Sequence, residues 1–140
     1  MLLNKTVVVP ALSFLIAQTL KVLTVIAFQK KFDFRRFIGS GGMPSSHSAF
    51  IVSLATVVGK TYGLKSGLFG VSMAVAIIVM YDAAGVRRAA GKQAKVLNKL
   101  ICSMDDKTRF DENLKELIGH TPFEVLIGAI LGVAVGLLFS

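Results

Sequence analysis

The chain has 140 residues, of which 54% are hydrophobic and only 17% are charged, and its mean hydropathy is +0.68. Because soluble domains carry about 25% charged residues, this composition excludes an ordinary soluble domain, and it also excludes an intrinsically disordered chain. The net charge is +8, and a single cysteine excludes an internal disulfide.

Four apolar stretches follow one another along the chain, near residues 7–28, 44–60, 64–81 and 121–139. A helix needs about 20 apolar residues to cross the hydrocarbon core of a bilayer, so the first and fourth stretches are long enough. The second and third are shorter, and each is either a short span or a core helix shielded by the others. The pattern predicts an all-α integral membrane protein, in which residues 1–140 form one bundle of about four short transmembrane helices.

The basic residues are distributed unevenly between the two sides of this bundle. Twelve of the 16 lie in the loops 29–43 and 82–120, whereas only Lys5, Lys60 and Lys65 lie on the opposite side. The positive-inside rule therefore places both loops in the cytoplasm, and we take the membrane to be the plasma membrane. A basic excess beside long apolar runs favours anionic lipid or phosphate as the partner, rather than nucleic acid.

Residues 89–100 in the second of these loops have small or apolar residues opposite lysines. This spacing predicts a cytoplasmic helix that lies on the membrane surface or packs beneath the bundle.

Lys21 lies within the first apolar stretch, with Gln18 one helical turn away. A charge inside a membrane-spanning segment indicates a functional role, so we expect both side chains to face a site. The alternative is that Lys21 extends toward the membrane surface.

The second stretch begins with the segment Gly41-Gly42-Met43-Pro44-Ser45-Ser46-His47-Ser48. Proline suits the first turn of a helix, and the unpaired N–H groups at a helix start bind phosphate with the help of hydroxyl groups. We therefore expect Ser45 and Ser46 to contact phosphate. The alternative is a helix cap beside an incidental histidine.

Asp82, Arg87, Arg88 and Gln93 follow the third stretch. Adjacent arginines hold phosphate oxygens with forked donors, and we expect Asp82 to orient one of them, with Gln93 in the same group. An equal alternative is that the arginines bind lipid headgroups at the membrane boundary.

His120 and Glu124 begin the last stretch, and their spacing of four places them on one face of a helix. A carboxylate beside an imidazole fixes its tautomer and stabilises its charged form, as required of an oriented base or nucleophile. The competing interpretation is a metal site that also uses His47 and Asp82. The wide spacing of the histidines and the basic surroundings disfavour it, so we expect neither a metal nor another cofactor.

Three ordered strings resemble the signatures of the type 2 phosphatidic acid phosphatase and vanadium haloperoxidase superfamily. Pro44-Ser45-Ser46-His47 resembles its PSGH motif, and His120-x-x-x-Glu124, followed by VLIG, resembles its HxxxD motif. Over nearly its full length the chain is similar to a divergent branch of that superfamily, the YuiD-like membrane proteins, through the strings GGMPSSHSA, YDAAGVRRAAGKQA and LIGHTPFEV.

The resemblance implies a role for each matching residue. His120 would attack phosphorus with Glu124 orienting it, His47 would protonate the leaving oxygen, and Ser45 and Ser46 would hold phosphate oxygens. Leu114 stands where the third signature has arginine, and the first signature, of the K-x6-R-P type, is absent. Its cations are then expected from the set Lys21, Lys31, Arg35, Arg36, Arg87 and Arg88.

The sequence thus predicts a metal-independent, acid-phosphatase-like hydrolase whose site faces the cytoplasm. Its substrate would be a phosphate monoester or pyrophosphate carried by a lipid, and its intermediate a phosphohistidine. Two alternatives are a non-catalytic membrane protein that binds phosphate or lipid with the same fold, and a structural subunit of a larger complex. Five glycines form small-residue faces for helix contacts and leave a homo-oligomer open: Gly59, Gly63, Gly128, Gly132 and Gly136.

Overall fold

The computed structural model describes residues 4–29, 42–103, 114 and 119–140, and these residues are organised almost entirely into helices. These described residues form five α-helices and one π-helical segment, in chain order α1 Lys5–Gln29, α2 Ser46–Tyr62, α3 Gly67–Tyr81, the π segment Asp82–Val86, α4 Arg87–Ser103 and α5 Pro122–Phe139. The predicted all-α membrane bundle is confirmed.

Among the described residues, three helical segments are long and apolar enough to cross a membrane: Lys5–Thr24, Gly67–Ser103 and Pro122–Phe139. The second apolar stretch, which forms α2, has 17 residues and packs against α1, α3 and α5. Nine of its residues are buried, whereas α3 buries only Ser72 and Ala76. The second stretch is therefore the core helix of the bundle, and the other helices shield it.

The third apolar stretch does not end where the sequence pattern ends. Helical structure continues from α3 through the π segment into α4, so residues 82–103 of the predicted second loop are helical. The helix expected over residues 89–100 lies within α4.

Two ends of the bundle can be distinguished by their contacts. At one end the starts of α2 and α5 lie beside the π segment, where Ser45 N–H donates to Glu124 O at 3.1 Å and His120 N–H donates to Ala83 O at 2.9 Å. At the other end the Lys60 ammonium donates to the carbonyls of Leu137 and Ser140 at 3.1 and 2.9 Å. Helices α2 and α5 therefore run in the same direction, whereas α2 and α3, which a short connection joins, run antiparallel.

Close contact between α2 and α5 depends on three glycines spaced four apart on α5. A Cβ added to Gly132 would lie 2.6 Å from Ala49 O, and one added to Gly136 would lie 2.7 Å from Thr56 Cβ. A Cβ on Gly128 would collide with the carbonyl oxygen of Ser45. This small-residue face is used within the chain, where it lets two backbones approach closely.

We expect Gly132→Ala to lower the free energy of unfolding by about 1–3 kcal/mol, since the added methyl group overpacks the α2–α5 interface. Gly70→Ala is the matched control, because nothing lies within 4 Å of a Cβ at that position on α3. Thermal unfolding of both variants in detergent measures the difference. Equal melting temperatures would contradict the close packing of α5 on α2.

Candidate functional site

His47 and His120 face each other at the end of the bundle where α2 and α5 begin. Their ring centroids lie 6.5 Å apart, and the ring planes are inclined by 59°. His120 is 3% exposed, and His47 is partly exposed. The structure thus brings together the only two histidines of the chain.

Glu124 fixes the orientation of His120 through the first turn of α5. Its Oε2 lies 3.2 Å from Nδ1 of His120 and also accepts a hydrogen bond from the Thr121 N–H at 3.0 Å. The Thr121 hydroxyl in turn accepts from the Glu124 N–H at 3.3 Å, which completes a capping box. A carboxylate is acceptor-only, so Nδ1 carries the proton and the lone pair of the neutral ring lies on Nε2.

The surroundings of His120 favour its neutral form. Burial lowers the pKa of His120 below its usual 6.5, while the hydrogen bond and the negative charge of Glu124 act in the opposite direction. The positive charges of Lys21 and Arg87 lower the pKa of His120 further. At neutral pH the ring is therefore a neutral imidazole.

The π segment positions the backbone of His120. The Arg87 N–H bonds to Asp82 O, five residues earlier, whereas an α-helix would direct it to Ala83 O. The Ala83 carbonyl accepts instead from the His120 N–H at 2.9 Å. The π segment thus supplies the carbonyl acceptor that holds the backbone of His120 in front of α5.

Gly119 lies against the backbone where the π segment passes into α4. Its φ is +94°, and a Cβ there would lie 2.5 Å from the amide nitrogen of Arg88. Sequence reasoning missed Ala83, Gly119 and the π segment as parts of the site. The glycine before His120 was the one available signal, and the run of small residues after Asp82 gave no indication of a wide turn.

Ser45 and Ser46 use their hydroxyl groups within the protein. The Ser45 hydroxyl caps α2 by accepting from the Ser48 N–H and the Ser48 hydroxyl, at 3.4 and 3.0 Å. The Ser46 hydroxyl donates to Gln18 Oε1 at 2.9 Å. The N–H groups of Ser46 and His47 belong to the first turn of α2, which leaves them without an intrahelical acceptor.

Lys21 reaches the site from α1. It is 3% exposed, and its stem lies over Gly42, where a Cβ would lie 3.3 Å from Lys21 Cγ. Gly42 has a φ of +101°, so this position is suited to glycine. The charge of Lys21 acts on Glu124 and on both histidines.

The residues expected after the third stretch separate into two groups. Arg87 forms an ion pair with Asp82, with Nε and Oδ2 2.7 Å apart, and its charge also acts on both histidines. Arg88 is exposed, and Gln93 lies farther along α4 beside a surface cavity that Lys92, Val96 and Leu97 also line. Lys31, Arg35 and Arg36 lie outside the described residues, and so they remain sequence predictions.

The alternative of a metal site requires several ligand side chains close together. The described residues contain no group of three or more His, Cys, Asp or Glu side chains arranged to hold a metal ion.

An apolar cavity of about 590 Å³ adjoins His47 between α1, α2 and α3. Among the described residues that line it, His47 is the only titratable one. The other lining residues are Ala11, Phe14, Leu15, Phe50, Ile51 and Val79. The histidine pair therefore has a polar and basic side, toward Lys21 and Arg87, and an apolar side.

The chain is similar to known proteins over most of its length. A family model described as the divergent PAP2 family matches residues 2–135. The chain is 41% identical to YuiD of Bacillus subtilis (strain 168), an uncharacterized membrane protein, over 89% of this chain and 86% of the relative. No solved structure matches significantly.

We expect the pKa of His120 to lie below 6.5 in the folded protein and to fall further in Glu124→Gln, because the carboxylate raises it. Imidazole NMR titration in detergent measures both values, and His47→Asn assigns the remaining resonance to His120. Glu124→Asp, which keeps the charge, serves as the control. A higher pKa in Glu124→Gln than in the unmodified protein would contradict the assigned hydrogen bond.

Proposed function

Because the chain belongs to the divergent PAP2 family, we propose that it is a membrane phosphatase that forms a phosphohistidine on His120. The observation that carries this proposal is the oriented His120–Glu124 pair facing His47 across 6.5 Å. The substrate is a phosphate monoester or a pyrophosphate carried by a lipid. No metal ion takes part in the proposed reaction.

In the first step, Nε2 of His120 attacks phosphorus. The N–P bond forms, the P–O bond to the leaving group breaks, and His47, which starts as the imidazolium, donates a proton to the leaving oxygen and becomes neutral. In the second step, His47 takes a proton from water while the water oxygen attacks phosphorus. The N–P bond breaks, inorganic phosphate leaves, and both histidines return to their starting states.

The spacing of the two rings suits these steps. Attack requires nitrogen and phosphorus within about 3–3.5 Å, and proton transfer requires His47 within about 3 Å of the leaving oxygen. A tetrahedral phosphoryl group between rings 6.5 Å apart is compatible with both distances.

The chain lacks the cations of the first signature, and Leu114 stands where the third signature has arginine. Lys21 and Arg87 are proposed to supply the missing positive charges. Both charges act on the two histidines, so both lie in electrostatic range of a phosphoryl group held there. The N–H groups of Ser46 and His47 add donors at the start of α2. Ser45, Ser46, Gln18 and Asp82 then act as positioning residues, because their polar groups bond to other parts of the protein.

The apolar cavity supports a lipid as the carrier of the phosphate. A substrate with its phosphate between the histidines can place an apolar chain among Phe14, Phe50 and Val79. The excess of basic residues in the loops beside the site supports a site that faces the cytoplasm. The membrane is proposed to be the plasma membrane.

A second candidate function is binding of phosphate or lipid without turnover. The Ser46 hydroxyl donates to Gln18 and so gives no hydrogen bond to a transition state, whereas the N–H groups at the start of α2 still suit phosphate binding, and this combination favours the second candidate. Leu114 at the arginine position of the third signature favours it as well.

We expect purified protein to release phosphate from lipid phosphates, with vanadate inhibiting release and EDTA leaving it unchanged. His120→Ala removes the nucleophile and abolishes turnover.

His47→Gln lowers kcat by about 10²–10⁴-fold for an alkyl phosphate, as expected for loss of a general acid. The loss is much smaller for 4-nitrophenyl phosphate, whose leaving group needs no proton. Release by His120→Ala at the rate of the Lys65→Gln control would overturn the phosphatase assignment, and binding of vanadate without any turnover would favour the second candidate.

We expect Ala11→Phe, which fills the apolar cavity, to lower kcat/KM for long-chain lipid phosphates by about tenfold or more, as loss of chain contacts in an apolar pocket does. Release from glycerol phosphate should be unchanged. Ala74→Phe is the matched control, because Ala74 is exposed on α3 and does not line this cavity. Equal effects of both variants on the long-chain substrate would contradict the placement of the lipid chain.

A further inference from the structure

Helix α4 carries three distinct faces, and within the part of the chain that the structure describes only one of them is packed against the protein. The buried face consists of Gly91, Ala94 and Asn98, and the Asn98 side chain exchanges two hydrogen bonds with the backbone of Leu114, at 2.9 and 3.0 Å. A second face is basic and exposed, and a third is apolar and exposed. The basic residues are Arg88, Lys92, Lys95 and Lys99, and the large apolar ones are Val96, Leu97 and Leu100.

The basic face carries no compensating charge within its own helix. No acidic residue occurs between Arg87 and Ser103, and the four basic side chains follow at intervals of four, three and four residues. Like charges at these intervals are neighbours on a helix and repel each other. An anionic surface beside this face would relieve that repulsion.

The apolar face is unusually exposed for large side chains next to a basic stripe. Val96, Leu97 and Leu100 are 57, 48 and 55% exposed. A basic stripe that adjoins an apolar stripe is the pattern of helices that lie at a membrane surface. Nucleic acid would use only the charges, and it would leave these three side chains in water.

The position of α4 along the chain brings it to the membrane surface. The helix from Gly67 to Val86 has 20 residues, and at 1.5 Å per residue it is about 30 Å long, which is the thickness of the hydrocarbon core. Helix α4 therefore begins where the span ends. Helices bend at π segments, and one such segment joins α3 to α4.

We propose that the exposed face of α4 binds the anionic headgroups of the membrane that α3 crosses. Lys92, Lys95 and Lys99 contact lipid phosphates, and Val96, Leu97 and Leu100 enter the boundary between headgroups and acyl chains. This proposal concerns a surface outside the histidine site, so it holds or fails independently of the phosphatase activity.

The single cysteine, Cys102, provides a probe at the far end of α4, where it is exposed. If α4 stood upright from the membrane, Cys102 would lie 15 residues beyond Arg87, or about 22 Å above the surface at 1.5 Å per residue. If α4 lies on the membrane, the same side chain is at headgroup level. A spin label at Cys102 of the full-length protein distinguishes the two by its accessibility to oxygen and to a water-soluble nickel complex.

We expect the label to become several-fold less accessible to the nickel complex in lipid discs that contain phosphatidylglycerol than in discs of phosphatidylcholine alone. High salt should reverse the change, because it screens the attraction between the lysines and the headgroups. A label that is equally and fully accessible in both kinds of disc would overturn the proposal.

The variant Lys92→Gln/Lys95→Gln should lose most of the response to anionic lipid, since it removes two charges from the basic face. The control Lys5→Gln/Lys65→Gln removes two exposed charges outside α4 and should keep the response. An unchanged response in the first variant would overturn the proposal. So would protection of the label by an acidic protein or a nucleic acid, but not by anionic lipid.

Discussion

The structure depends on Glu124, whose backbone and side chain each join two parts of the site. Its carboxylate accepts from the Thr121 N–H and lies against Nδ1 of His120, while its carbonyl accepts from the N–H of Ser45. One residue therefore starts α5, orients the proposed nucleophile and holds the beginning of α2, which carries His47. Because Gly128 lies one turn later and touches the Ser45 carbonyl, the same helix crossing fixes the distance between the two histidines.

Backbone groups hold His120 from its other side. The π segment frees the Ala83 carbonyl for the His120 N–H, and Gly119 allows the chain to pass directly against Arg88. Main-chain contacts of this kind position a ring more rigidly than long side chains can, because they carry no rotamer freedom of their own. They also keep His120 almost fully buried, at 3% exposure, with its ring 6.5 Å from that of His47.

The interior of this small bundle differs from that of a soluble domain. Among the described residues, the largest fully buried side chains after Val57 and Pro10 are serines, such as Ser13 and Ser53, whereas large apolar side chains such as Ile78 and Leu138 are exposed. In a membrane the apolar exterior meets lipid, so helices associate through small residues and hydrogen bonds. This arrangement leaves space at one end for a buried lysine and two histidines, at the cost of burying charge in a medium that solvates it poorly.

Composition and local spacing alone established the membrane class, the positions of the apolar helices and the pairing of His120 with Glu124. These properties depend on length, hydropathy and the helical repeat, all of which act between neighbours in sequence. Only the tertiary structure showed that α2 is the core of the bundle and that the serine hydroxyls bond internally. It also showed that Arg87 lies near the histidines while Gln93 lies apart, and that Ala83 holds His120. These features depend on how closely two helices approach each other and on which group the Ala83 carbonyl accepts from. Neither can be predicted from the residue spacing within one helix, because both arise from contacts between residues far apart in sequence.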